Sequence, residues 1–171
     1  PDIVQGKADA PITIVEYASM TCPHCAAFHA ETFPVLVKKY IETGKVRFIL
    51  REFPLDPLAA AGFMLARCAG PDKRNLMVYL LYNKPQDWAF VAKPLEALSG
   101  LVRQAGISQE SFNTCINNQA LYDKINEIRD RAAQKFGVSA TPTFFINGKK
   151  VTGEMTPATL DKELETLLKK S

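Results

Sequence analysis

The sequence has no apolar run long enough to cross a membrane. Its longest strongly apolar stretch, Leu58 to Ala66, is about half of the roughly 20 residues that a spanning helix needs. It also has no basic block. The 21 lysines and arginines stand against 18 acidic residues, a formal charge of +3, and so near a balance points away from nucleic acid as a partner. The lysines at its end, Lys169 and Lys170, read as a solvated helix terminus. Histidine is scarce, with His24 and His29 the only two. Of the four cysteines only two form a close pair, so the second ligand pair of a structural zinc site is missing, and neither a metal nor a cofactor is expected. The N-terminus, Pro1-Asp2-Ile3, shows no charged segment leading into an apolar one. A chain that opens on proline without an initiator methionine is read as already trimmed, with a signal peptide removed. At 171 residues the chain suffices for one sizeable core, or for one domain carrying an insertion, and a soluble protein is expected. An even number of cysteines fits an oxidising compartment.

What is present in place of these features is Cys22-Pro23-His24-Cys25, two thiols at a spacing that can close a disulfide and reopen it. The stretch from Ile12 to Ser19 reads as a strand and that from Ala26 to Ile41 as a helix, which places Cys22 at the helix N-cap. Pro23 fits the first helical position, where its missing N–H costs nothing and its fixed φ suits the turn. A sulfur at the N-cap faces the unpaired amides of His24 and Cys25 and the positive end of the helix dipole, both of which favour a thiolate. A protonated His24 would add charge of the same sign. Cys22 is therefore expected as the exposed nucleophile and Cys25, one turn on, as the more buried resolving thiol. A thiol pKa lowered by about 3 units would stabilise the reduced form at pH 7 by about 2 kcal/mol, on the order of 45 mV. That moves a dithiol from reductant toward oxidant. Catalytic redox use is the reading preferred over a half zinc site or a passive disulfide.

Val46 to Phe53 makes a second strand, parallel to the first across a helical crossover. Pro34 falls inside the crossover helix and should kink it. Later, Thr143 to Ile146 and Lys149 to Thr152 flank Asn147-Gly148, a pair that favours a type I′ hairpin. A helix then starts near Thr156, with Pro157 at its first position and Met155 and Leu160 placed as a hydrophobic staple. Between Asp56 and Phe136 no strand is evident. Leu58, Ala61, Leu65 and Cys68 repeat at helical spacing, Ile107-Ser108 with Phe112 resembles a stapled N-cap, and Leu121, Ile125, Ile128, Ala132 and Phe136 mark one face of a long helix ending at Gly137. The expectation is an α/β fold around one mixed sheet, with residues 1–55 and 137–171 forming a discontinuous domain and residues 56–136 a helical insertion.

Cys22-Pro23-His24-Cys25, the acidic Glu16 six residues earlier, the central helical block and the late Ala140-Thr141-Pro142-Thr143 together resemble the DsbA family of thiol:disulfide oxidoreductases. The resemblance implies a thioredoxin fold with an inserted helical domain, a periplasmic or extracytoplasmic location, and oxidation of newly translocated polypeptides. By resemblance Cys22 is the attacking cysteine, Cys25 its buried partner, His24 a residue that tunes the thiolate, and Pro142 a cis-proline whose loop faces the disulfide. The backbone of Thr141 would then pair with an extended substrate. Glu16 corresponds to the family's buried acid, a proton acceptor for Cys25, or else is a surface carboxylate on a strand edge. Two features depart from the enterobacterial pattern. Thr141 stands where valine is usual, as in the isomerase relatives, and Cys68 and Cys115 remain in the helical block, either as a structural disulfide or as two buried free thiols.

Three functions compete. The leading one is a monomeric oxidase that passes the Cys22-Cys25 disulfide to reduced, folding secreted polypeptides and is reoxidised, by resemblance, by a DsbB-like membrane quinone reductase. An isomerase or reductase of the same fold is the second. A copper(I) metallochaperone using Cys22, Cys25 and a histidine is the third, since soft thiolates suit that ion.

Overall fold

The computed structural model of the chain describes residues 2–169, so Lys170 lies outside the described residues. Its sheet has five strands in the order β1-β3-β2-β4-β5. The central strand is β2 (Ile12–Ala18), which runs parallel to β3 (Val46–Glu52) as the crossover requires and antiparallel to β4 (Thr143–Ile146). The hairpin partner of β4 is β5 (Lys149–Thr152), with Asn147 and Gly148 at φ 48° and 84° in the turn. Both positive φ values are what an Asn-Gly two-residue turn supplies. A short β1 (Ile3–Gln5), invisible in the sequence because three residues carry no pattern, closes the far edge antiparallel to β3.

Alternation along β2 assigns its faces. Ile12, Ile14, Glu16 and Ala18 point to one side and are buried under the first helix, while Val15 and Tyr17 point to the other. The two main strands end one residue earlier than expected, at Ala18 and Glu52. Ser19 has turned away to serve the loop: its carbonyl accepts from the Tyr82 hydroxyl at 2.9 Å, and its Oγ accepts from the Leu55 N–H at 3.1 Å.

Pro34 does not break the first helix. From α1 (Pro23–Ala27) the chain continues through a wide π-type turn (Phe28–Thr32), α2 (Phe33–Leu36) and a second π-type turn (Val37–Ile41). The Phe33 N–H reaches back to the Phe28 carbonyl, five residues away. This widening leaves room for a residue that cannot donate to the ladder and whose ring crowds the preceding turn.

Helices fill the connection from β3 to β4: α3 (Pro57–Cys68), α4 (Arg74–Asn83), α5 (Pro94–Arg103), α6 (Gln109–Ile116) and α7 (Gln119–Lys135). Asp56, Ser108 and Asn118 cap three of them by accepting backbone N–H groups three residues on. Gly137, at φ 65°, follows the end of α7 as a left-handed stop. The apolar stripe of α7 is buried at Ile125 and Ala132, but its last member, Phe136, is exposed beneath the Arg131 guanidinium. Finally α8 (Pro157–Lys169) is capped by Thr156 and buries Leu160 and Leu164, with Met155 beneath its start.

One apolar cluster runs through the sheet and the inserted helices alike, joining Ile14, Phe48 and Phe144 to Phe63, Leu81 and Trp88. A small second cluster on the opposite face holds Tyr17, Phe53, Ala132 and Val138. Cys68 and Cys115 are joined in a disulfide, with Cα atoms 6.3 Å apart, so they are not free thiols. Among the described residues, no helix is long and apolar enough to cross a membrane.

Candidate active site

Cys22 occupies the N-cap of α1 and Pro23 the first helical position. The Cys22 Sγ accepts the Cys25 N–H at 3.4 Å, and its own thiol donates to the Thr141 carbonyl at 3.5 Å. The Thr141–Pro142 peptide bond is cis. The expectation of an exposed nucleophile is corrected: Cys22 is only 5% exposed, because the 140–143 loop packs over it, and Cys25 is fully buried.

The Cys22 pKa is lowered from its ordinary 9.0 to about 5. The largest cause is a hydrogen bond from the Cys25 thiol, which burial opposes, and the Thr141 side chain and the amides of Cys25 and His24 add to the lowering. The helix terminus is thus a supporting effect and the partner thiol the leading one. His24 acts through its backbone N–H, while its imidazole is exposed and lines the neighbouring groove. Burial pushes the Cys25 thiol far above its ordinary value, reinforced by its hydrogen bond to Cys22 and by the charge of Glu16. The pair therefore holds one anionic and one protonated sulfur when reduced.

Glu16 is not a surface carboxylate on a strand edge. It is wholly buried on the central strand, between Leu50 of β3 and Phe144 of β4. Its Oε1 lies 2.8 Å from His29 Nε2, whereas its Oε2 has no hydrogen-bond partner among the described residues. The His29 ring stacks on Tyr82, with centroids 4.4 Å apart and planes within 5°.

Sequence reasoning missed the residues that hold the loop before Cys22. The Thr21 hydroxyl donates to Asp56 Oδ2 at 2.9 Å, while Asp56 Oδ1 caps α3. Tyr82 from α4 fixes Ser19. The signal for Asp56 was present, since an aspartate followed by proline marks a helix start. His29 had none, because its partner lies on another element.

Beside the thiols, a groove of about 210 Å³ runs between α1 and the 140–143 and 152–156 segments, lined by His24, Phe28, Glu31, Thr141, Pro142 and Met155 among others. Among the described residues, no group of three or more His, Cys, Asp or Glu side chains could hold a metal ion.

A helix-capped thiol pair facing a cis-proline on a mixed sheet defines a dithiol protein of thioredoxin fold. Comparison with known proteins agrees. The family model described as thioredoxin matches residues 1–166. The chain is similar to α-DsbA1 of Wolbachia pipientis, with 32% identity, a TM-score of 0.91, and coverage of 99% of this chain and 92% of that one. BdbD of Bacillus subtilis in its oxidised form is 25% identical, with a TM-score of 0.84 and coverage of 98% and 93%. A Rickettsia conorii protein named as a protein-disulfide oxidoreductase is 35% identical over 169 residues, 96% of this chain and 61% of that protein. The chain spans between 53% and 65% of the length of the Rickettsia relatives it matches. It belongs to the DsbA family of thiol:disulfide oxidoreductases, within the thioredoxin fold.

Proposed function

We propose that this protein oxidises pairs of cysteines in other polypeptides by exchange with its own Cys22–Cys25 disulfide. A substrate thiolate attacks Cys22 Sγ, the Cys22–Cys25 bond breaks, and the electron pair leaves on Cys25. A second substrate thiolate then attacks the substrate sulfur of the mixed disulfide and expels Cys22. The observation that carries the reading is the low pKa of Cys22, about 5, because a sulfur that is stable as a thiolate leaves readily and stabilises the reduced product.

The substrate class is reduced, folding secreted polypeptide. An extended segment lies along the groove beside the thiols and pairs with the Thr141 backbone by strand addition once the Cys22 thiol has vacated its carbonyl. The protein acts as a monomer outside the cytoplasm, with residues 1–55 and 137–171 as the catalytic domain and 56–136 as the insertion, and a DsbB-like membrane quinone reductase restores its disulfide. The experiment is equilibration with reduced and oxidised glutathione, together with a reduced two-cysteine peptide as substrate. Peptide oxidation and a potential above that of glutathione are expected. A strongly reducing potential would overturn the oxidase direction in favour of reductase or isomerase use, the reading that Thr141 before Pro142 supports.

A further inference from the structure

We infer that His29 relays the proton that Cys25 takes up when the Cys22–Cys25 disulfide opens, acting through Glu16 and drawing on water in the groove between the first helix and α4. The inference rests on the dithiol exchange proposed above and supplies the route of its proton. Cys25 is fully buried, so the thiolate that leaves on its sulfur has no direct access to solvent. The charge of Glu16, itself wholly buried, acts on Cys25, and one of the Glu16 carboxylate oxygens has no hydrogen-bond partner among the described residues. The other oxygen is bound to His29 Nε2 at 2.8 Å. His29 in turn lines a groove of about 380 Å³ that reaches from β1 to α4. Its side chain is 6% exposed, which makes it the member of the Cys25, Glu16 and His29 series that meets the outside. Stacking on Tyr82 fixes the ring, so that one nitrogen stays on Glu16 and Nδ1, with no hydrogen-bond partner among the described residues, is left for water.

A substrate thiolate forms a bond to Cys22 Sγ, the Cys22–Cys25 bond breaks, and its electron pair goes to Cys25 Sγ. Glu16 takes a proton from His29 Nε2 and hands one on to Cys25 Sγ, ending in the form in which it began, while His29 takes a replacement at Nδ1 from groove water, whose hydroxide passes to bulk solvent. The substrate is oxidised when its second thiolate closes the new disulfide, and Cys22 departs as a thiolate. The titratable groups facing His29 are Glu16 from β2 and Tyr82 and Tyr79 from α4, whereas β1 and β3 present only uncharged side chains to the groove. As a residue that works through Glu16, His29 is a positioning and relay residue.

The test uses the oxidised protein mixed rapidly with a reduced two-cysteine peptide, with opening of the Cys22–Cys25 disulfide followed by acid quench, thiol alkylation and mass spectrometry. His29→Ala is expected to slow opening at least about tenfold, the lower range for loss of an acid–base group, and imidazole added to the solution should restore the rate by entering the vacated space. His29→Gln keeps a hydrogen bond to Glu16 but cannot pass a proton, so it should stay slow with a flattened pH profile, and it carries the test should the alanine variant not fold. Variants that open at the wild-type rate, or a slowed alanine variant that imidazole does not rescue, overturn the relay alone. Wild-type protein that leaves the peptide reduced overturns the proposed function, and the relay with it.

Discussion

The thiol of Cys22 donates to the carbonyl of Thr141 at 3.5 Å across 119 residues of chain. The two ends of the sequence thus meet at the reactive sulfur. That contact favours the protonated thiol, while the Cys25 thiol, the Thr141 side chain and two backbone amides favour the thiolate and prevail.

With a folded pKa of about 5 against an ordinary 9.0, the thiolate stabilises the folded reduced protein fully above about pH 9, progressively less as pH falls, and not at all below about pH 5. At pH 7 the part that remains is about 3 kcal/mol, on the order of 60 mV relative to the disulfide form. Reduced protein should melt above oxidised protein at pH 7, and the gap should close toward pH 5. Melting curves of both forms across that range check it, and an unchanging gap would refute it.

Cys25→Ala removes the donor that contributes most to the low pKa of Cys22. The ultraviolet titration of Cys22 in this variant should move upward by at least about one pH unit. A midpoint still near 5 would show that the helix terminus alone sets it.

Cys22→Ser should abolish peptide oxidation, whereas Cys25→Ser should accumulate mixed disulfides through Cys22, because the partner thiol that could resolve them is gone. Non-reducing electrophoresis of each variant after incubation with a disulfide-containing peptide, whose second sulfur leaves as a thiolate, distinguishes the two. Adducts on Cys25 in the Cys22→Ser protein would reverse the assignment of nucleophile.

The Cys68–Cys115 disulfide closes a loop with a sequence separation of 47 residues. Replacing both cysteines by alanine should cost up to about 4 kcal/mol through the added freedom of the unfolded chain. Urea denaturation of the variant, read against wild type, measures this cost, and an unchanged midpoint would contradict it.

A Cβ placed on Gly62 would lie 3.0 Å from Met20 Cγ, 3.2 Å from Met20 Cβ and 3.3 Å from the Trp88 ring. Met20 and Trp88 are both wholly buried and have nowhere to retreat. Gly62→Val should therefore cost about 1–3 kcal/mol. It should also alter the fluorescence of Trp88, the only tryptophan, and change the alkylation rate of Cys22.

The sequence made legible whatever local pattern encodes. Cys22 with Pro23 announced a capped helix, Asn147-Gly148 a tight hairpin, and Ser108 with Phe112 a stapled start, because each signal lies within a few residues of what it specifies. Glu16 was readable only as a choice between buried acid and edge carboxylate, since its surroundings come from β3, β4 and the first helix. His29 and Tyr82 were silent for the same reason: their stacking joins elements more than fifty residues apart. The π-type turns around Pro34 were also hidden, because proline predicts a disturbance of the ladder but not whether the chain bends or widens to absorb it.

Asp56 shares its carboxylate between the Ala59 N–H in the first turn of α3 and the Thr21 hydroxyl one residue before Cys22. The segment joining the sheet to the helical block is therefore mechanically coupled to the reactive end of the first helix. A change in those helices that shifts Asp56 is carried to the loop before the sulfur without altering any residue that touches it.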